Sequence, residues 1–145
     1  MENLKIAIGS DHGGFRLKGK IIEYLRGQNI QFEDFGAFDE ESCDYPDIAK
    51  EIAQEVVLKK FDKGILICGT GIGVSIAANK VKGIRAAVCS DTFSAKMSRA
   101  HNDANILCLG QRVIGEGLAL EIVEAWLKSE FEGGRHKIRV EKTEE

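Results

Sequence analysis

The sequence predicts a three-layer α/β/α sandwich built on a five-stranded parallel sheet. Three observations predict it. Short apolar runs alternate along the chain with apolar stripes at helical spacing, the pattern of a parallel sheet covered by helices on both faces. Glycine-containing segments follow the first, third and fifth runs, where strands of such a sheet turn into their next elements. The chain has 145 residues, 43% of them hydrophobic, enough for one buried core and the usual size of one domain. The expected architecture is therefore Rossmann-like, with one domain spanning residues 1–145.

Strands are expected near residues 4–9, 30–35, 64–68, 84–89 and 104–109. After the first, Leu17, Ile21 and Leu25 recur at four-residue steps and make one helical face. The same stretch contains Gly14-x-x-x-x-Gly19-Lys20, the spacing of a phosphate-binding loop, but Ile21 stands where a Ser or Thr would hold the metal. It reads as helix. Ile48, Ile52 and Val56, flanked by Ala49, Ala53 and Val57, form the second stripe, entered through Pro46 at a first turn where a missing N–H is tolerated. Val74, Ala77, Ala78 and Val81 give the third. Thr92 to Asn102 has a weaker pattern, and Leu118, Ile122 and Trp126 with Ala119 and Val123 make the last. These are five β–α units. Residues 142–145 read as a frayed polar tail.

Charge and composition exclude several functions. The net charge is -3, the isoelectric point about 5.7, and Lys and Arg are dispersed among acids, so no basic stripe for nucleic acid is present. No apolar run approaches the roughly 20 residues that span a bilayer, and the N-terminal residues lack a secretory pattern. A cytoplasmic protein with neither a nucleic-acid nor a membrane partner is expected. Cys43, Cys68, Cys89 and Cys108 lie about twenty residues apart with no C-x-x-C pair, so no metal site is expected. Cys89 and Cys108, inside apolar runs, read as small core hydrophobes.

In an open parallel sheet the ligand sits beyond the carboxyl ends of the strands. The segments there are Gly9-Ser10-Asp11-His12-Gly13-Gly14, Cys68-Gly69-Thr70-Gly71-Ile72-Gly73, Ser90-Asp91-Thr92 and Gly110-Gln111-Arg112. Gly69 to Gly73 open a helix, so their amides suit an anion, although the G-x-G-x-G spacing after the third strand fits a dinucleotide poorly. Cys68 precedes that turn, where a helix N-terminus would favour thiolate, making it a candidate base or nucleophile beside the plainer reading of a core cysteine. Asp11-His12 and His101-Asn102 each join a titratable ring to a hydrogen-bonding partner. Arg135 and Arg139 would share a face if that segment is helical, an arrangement suited to phosphate or, alternatively, to neighbouring acids.

Taken together, G-S-D-H-G-G-F at 9–15, D-Y-P-D at 44–47, I-L-I-C-G-T-G-I-G at 65–73, S-I-A-A-N-K at 75–80, G-I-R-A at 83–86, R-A-H-N at 99–102 and E-G-G-R-H-K-I-R-V at 132–140 make the chain resemble the ribose-5-phosphate isomerase B family, which includes galactose-6-phosphate and allose-6-phosphate isomerases. The resemblance implies aldose–ketose interconversion of ribose 5-phosphate and ribulose 5-phosphate through an enediolate, without metal or organic cofactor. By that similarity Cys68 would be the base, His101 would assist ring opening, and Thr70 would lie near the ring oxygen. Asp11 and Asn102 would hold sugar hydroxyls. His12, Arg112, Arg135 and Arg139 would bind phosphate. Tyr45 and Ile72 would join the substrate site, and the amides of Gly69, Gly71 and Gly73 would stabilise the enediolate oxygens. One branch of the family replaces the cysteine by a glutamate in the following helix; Val74 stands there in this chain. The family also implies homodimers with shared active sites, possibly tetramers, so that His101 and some arginines would act across an interface. The alternatives are a hexose-phosphate isomerase, a non-catalytic sugar-phosphate binding module, and a nucleotide-dependent dehydrogenase, which the missing dinucleotide fingerprint disfavours.

Overall fold

The three central apolar runs are buried on both faces, their residues dividing alternately between two cores, and the two partly exposed outer runs complete the sheet. The computed structural model describes residues 3–145. The strands are β1 (Lys5–Ser10), β2 (Gln31–Asp34), β3 (Lys63–Cys68), β4 (Ala86–Val88) and β5 (Ile106–Gly110). Every pairing is parallel, in the order β2-β1-β3-β5-β4. The helices are α1 (Phe15–Gly27), α2 (Tyr45–Val57), α3 (Ile72–Ala78), α4 (Thr92–Ala100), α5 (Glu116–Lys128) and α6 (Arg135–Thr143). Ile6, Ile8, Ile65, Ile67, Leu107 and Leu109 meet α1, α4 and α5 on one face. Ala7, Leu66, Cys68, Ile106 and Cys108 meet α2 and α3 on the other, so the expected three-layer architecture is the observed one.

Because α1 and α3 leave adjacent strands toward opposite faces, a crevice opens between β1 and β3 at the carboxyl edge, the place where such sheets bind ligands. The near-match to a phosphate loop at Gly14–Lys20 is mostly helix α1, as expected. No helix is long and apolar enough to cross a membrane among the described residues.

Three expectations need correction. The fourth strand is three residues long rather than six, although the ladder carries on past it: Asn105 N–H donates to Arg85 O and Cys89 N–H donates to Cys108 O. Residues 135–143 add a sixth helix, so the chain is five β–α units and one more element. The tail does not fray at 142: Lys142 and Thr143 continue α6, and Glu144 is anchored by Arg85, whose Nη1 lies 2.6 Å from Glu144 Oε1.

Candidate active site

Three loops meet backbone to backbone at the carboxyl edge, and glycine is what allows it. A Cβ on Gly14 would lie 2.6 Å from the Ile67 carbonyl, and one on Gly110 would lie 2.6 Å from the Thr70 backbone. Gly71 has φ 82°, a left-handed conformation suited to glycine. The turn it makes directs its N–H at the Cys68 sulfur, 3.1 Å away. Cys68 is 5% exposed and its in-register neighbour across the ladder is Gly110. Thr70 Oγ1 accepts from Ile72 N–H at 3.2 Å. The Gly71 and Ile72 amides are therefore engaged within the turn, whereas those of Gly69 and Thr70 have no partner among the described residues.

Asp11, 8% exposed, caps the short turn at His12–Gly14 by accepting from Gly13 N–H at 2.9 Å. Gly13 lies against Gly69, and the Arg112 side chain also packs near Gly69. His12 Nδ1 accepts from Cys43 N–H at 3.2 Å, which places the proton of the neutral ring on Nε2. This anchor could not be anticipated, since Cys43 is 31 residues away along the chain. The Tyr45 ring lies so close to Gly73 that a Cβ there would meet it at 2.7 Å. Asp11, His12, Tyr45, Cys68, Gly69, Thr70, Gly71, Ile72, Gly73 and Arg112 thus belong to one edge of the sheet.

His101, Asn102, Arg135 and Arg139 belong to the other. Helix α4 runs back along the sheet, and His101 ends it close to the start of β5; Asn105 there accepts from Gly64 N–H at the start of β3. Gly64 and Cys68 are four residues apart on β3, roughly 13 Å of strand. One chain therefore does not bring His101 to Cys68. Instead His101, Asn102, Arg139 and His136 line a separate cavity of about 830 Å³, together with Lys82, Arg85 and Glu144. Arg135 is exposed and does not line it.

His136, which lines this cavity, and Glu132, beside the two histidines, are polar residues to which sequence reasoning gave no role in the site. The His101 and His136 rings stack at 4.1 Å and 8°. Glu132 Oε2 lies 3.8 Å from His101 Nε2, and Oε1 lies 3.5 Å from His136 Nε2. These three side chains could each offer one metal ligand atom within 4.8 Å of the others. The parallel rings, however, direct their in-plane lone pairs side by side rather than at one point.

The other cysteines differ from Cys68. Burial pushes the Cys89 thiol up to about 11 and raises Cys108 well above the ordinary range, which keeps both protonated and inert.

The Ribose/Galactose Isomerase family model matches residues 6–143. The chain belongs to that family. It is 53% identical over 137 residues to ribose-5-phosphate isomerase B of Escherichia coli, covering 94% of this chain and 92% of that one. It is 48% identical over 141 residues to the D-erythrulose-4-phosphate isomerase of Pectobacterium atrosepticum, covering 96% and 92%. The solved ribose-5-phosphate isomerase B of Clostridium thermocellum superposes with a TM-score of 0.96 at 57% identity, covering 97% and 95%. The chain is thus a sugar-phosphate isomerase, with the α/β fold of the ribose/galactose isomerases.

Proposed function

We propose that this isomerase interconverts D-ribose 5-phosphate and D-ribulose 5-phosphate in the cytoplasm, as a step of pentose phosphate metabolism, at sites completed by two copies of the chain. The observation that carries the reading is the division of the polar residues between the two edges of the sheet. The carboxyl edge holds a single buried thiol with a directed amide donor and two free amides beside it. The cavity at the other edge holds an imidazole, an amide and an arginine. Proton transfer next to a carbonyl needs the first set, and a cyclic sugar phosphate needs the second.

In this mechanism His101 assists opening of the furanose to the aldehyde, with Thr70 near the ring oxygen. Cys68 as thiolate removes the proton from C2, and the electron pair moves to form the C1–C2 enediolate with negative charge on O1. The Gly69 and Thr70 amides face that charge. The proton returns from Cys68 to C1 while the O2 hydroxyl proton passes to O1, leaving the ketose with its C1 hydroxyl and Cys68 again as thiolate. Asp11 and Asn102 hold hydroxyls, Tyr45 closes the side of the pocket, and His12, Arg112, Arg135 and Arg139 hold the phosphate. No organic cofactor enters these steps.

A second reading, a four-carbon sugar phosphate as the main substrate, is favoured by the similarity to the D-erythrulose-4-phosphate isomerase; a six-carbon phosphate would need room in the loop before Tyr45. Steady-state kcat/KM for ribose 5-phosphate, erythrose 4-phosphate and allose 6-phosphate tests these alternatives. The highest value is expected for ribose 5-phosphate, and a larger one for either other sugar overturns the assignment. Binding of all three without turnover would instead identify a non-catalytic module.

A further inference from the structure

The His101–Glu132–His136 cluster contains two groups that the proposed reaction leaves without a role. His136 is 8% exposed at the first turn of α6, whereas His101 is half-buried and faces the cavity. The two are brought together by the backbone: Glu132 N–H donates to Ala100 O at 2.9 Å, and His136 N–H donates to Gly133 O at 3.0 Å. A buried ring is thereby laid flat against a ring that would otherwise turn freely about its side-chain bonds. Glu132 spans the pair, one oxygen toward each Nε2.

We propose that His136 and Glu132 are positioning residues for His101, His136 fixing the plane of its ring and Glu132 supplying the counter-charge for one proton held on it. The inference rests on the reading of His101 as the group that assists ring opening. Two imidazolium rings stacked at 4.1 Å repel each other, so the pair carries one proton at most near neutral pH. The groups facing His136 decide where it resides. Burial first, then His101, Arg135 and Arg139, hold His136 below the ordinary histidine value against the opposing pull of Glu132, so a proton shared by the pair is disfavoured on His136.

Ring opening uses that proton. As the C1–O4 bond of the furanose breaks, His101 donates to O4. As C1 becomes an aldehyde, the proton released from the C1 hydroxyl returns to the imidazole. The ring ends the step as it began, and no other reactant is consumed. A ring that is misaligned or uncharged would slow this step alone, because the later transfer between C1 and C2 belongs to Cys68.

Ribulose 5-phosphate separates the two steps, since its O5 is phosphorylated and it stays open-chain. Two rates are to be measured on the full-length enzyme: turnover of ribose 5-phosphate, and deuterium uptake from D2O at C1 of ribulose 5-phosphate. For Glu132→Gln and His136→Ala we expect turnover to fall about tenfold or more while C1 exchange stays within about twofold of wild type. His136→Phe, which keeps a flat ring under His101, should recover most of the loss that alanine causes. Turnover and exchange falling together, neither falling, or phenylalanine doing no better than alanine would each overturn the inference. A wild-type enzyme inactive on both pentose phosphates would overturn the substrate assignment instead.

Discussion

Four cysteines occupy this chain, and their surroundings give them different chemistry. Cys108 is fully buried between sheet and helices and Cys89 nearly so, and burial raises both thiols. Cys68 is almost as buried, yet it ends its strand at a turn whose Gly71 amide points at the sulfur. A thiol so placed has a fixed direction, which a base serving two adjacent carbons requires. Cys68→Ala is therefore expected to lower deuterium exchange at C1 of ribulose 5-phosphate by at least about a hundredfold, the usual scale for a lost general base. Exchange at the wild-type rate would remove Cys68 from the role. The proposal gives Arg139 a role in binding: it lines the cavity beside His101 and Asn102 and makes no ion pair among the described residues. Arg139→Ala should raise KM about tenfold with little change in kcat, the effect of losing one charge-assisted hydrogen bond that is equally strong in ground and transition states. An unchanged KM would place Arg139 outside the site.

Elements with an apolar face were legible in the sequence, and elements held in other ways were not. The stripes at Leu17, Ile21 and Leu25 and at Ile122 and Trp126 mark helices whose buried sides are these residues. Helix α6 has one buried residue, His136, and is held at its ends by the stacked histidines and by the Arg85–Glu144 pair. No hydrophobic period announces such a helix, which is why residues 142–145 read as a tail. The loop between β2 and α2 is similar. Lys18 of α1, 2% exposed, reaches across to Asp34 at 2.8 Å and to the Ala37 carbonyl, and Asp34 also accepts from Gly36 N–H. In the sequence Lys18 was simply a polar position on an amphipathic helix. Lys18→Met removes the cation and leaves the Asp34 carboxylate unpaired. Because Asp34 is 28% exposed, water offsets part of the loss, and a destabilisation of about 2 kcal/mol is expected rather than the 3–5 of a fully buried pair. Urea unfolding measures it. Pairing Lys18→Met with Asp34→Leu should restore part of the stability, since no unpaired carboxylate then remains; a double variant weaker than the single one would show that the ion pair is not what holds this loop.

At the scale of the whole molecule, the residues of the proposed site were legible by type, and their separation only through the family resemblance, because position in the sequence does not say at which edge of the sheet a helix ends. His101 closes α4 near the start of β5, and Cys68 closes β3 at the far edge. Large apolar side chains stand exposed on the elements around β4: Ile72 and Ile76 on the helix after the Cys68 turn, Val88 at the end of the edge strand, and Phe93 at the start of α4. A second copy related by a two-fold axis would cover such surfaces and carry each Cys68 turn to the partner's cavity, since a two-fold contact presents the same pair of patches twice. This has a consequence that a site within one chain cannot imitate. On the proposed reading, Cys68→Ala and His101→Asn homodimers would each lack one necessary group at both sites. When the two variants are co-expressed and assort at random, half the dimers are mixed, and each mixed dimer has one site with neither substitution and one with both. Turnover of ribose 5-phosphate should then recover to about a quarter of the wild-type rate per chain. Sites contained within single chains would recover nothing on mixing, because no chain in the mixture holds both Cys68 and His101.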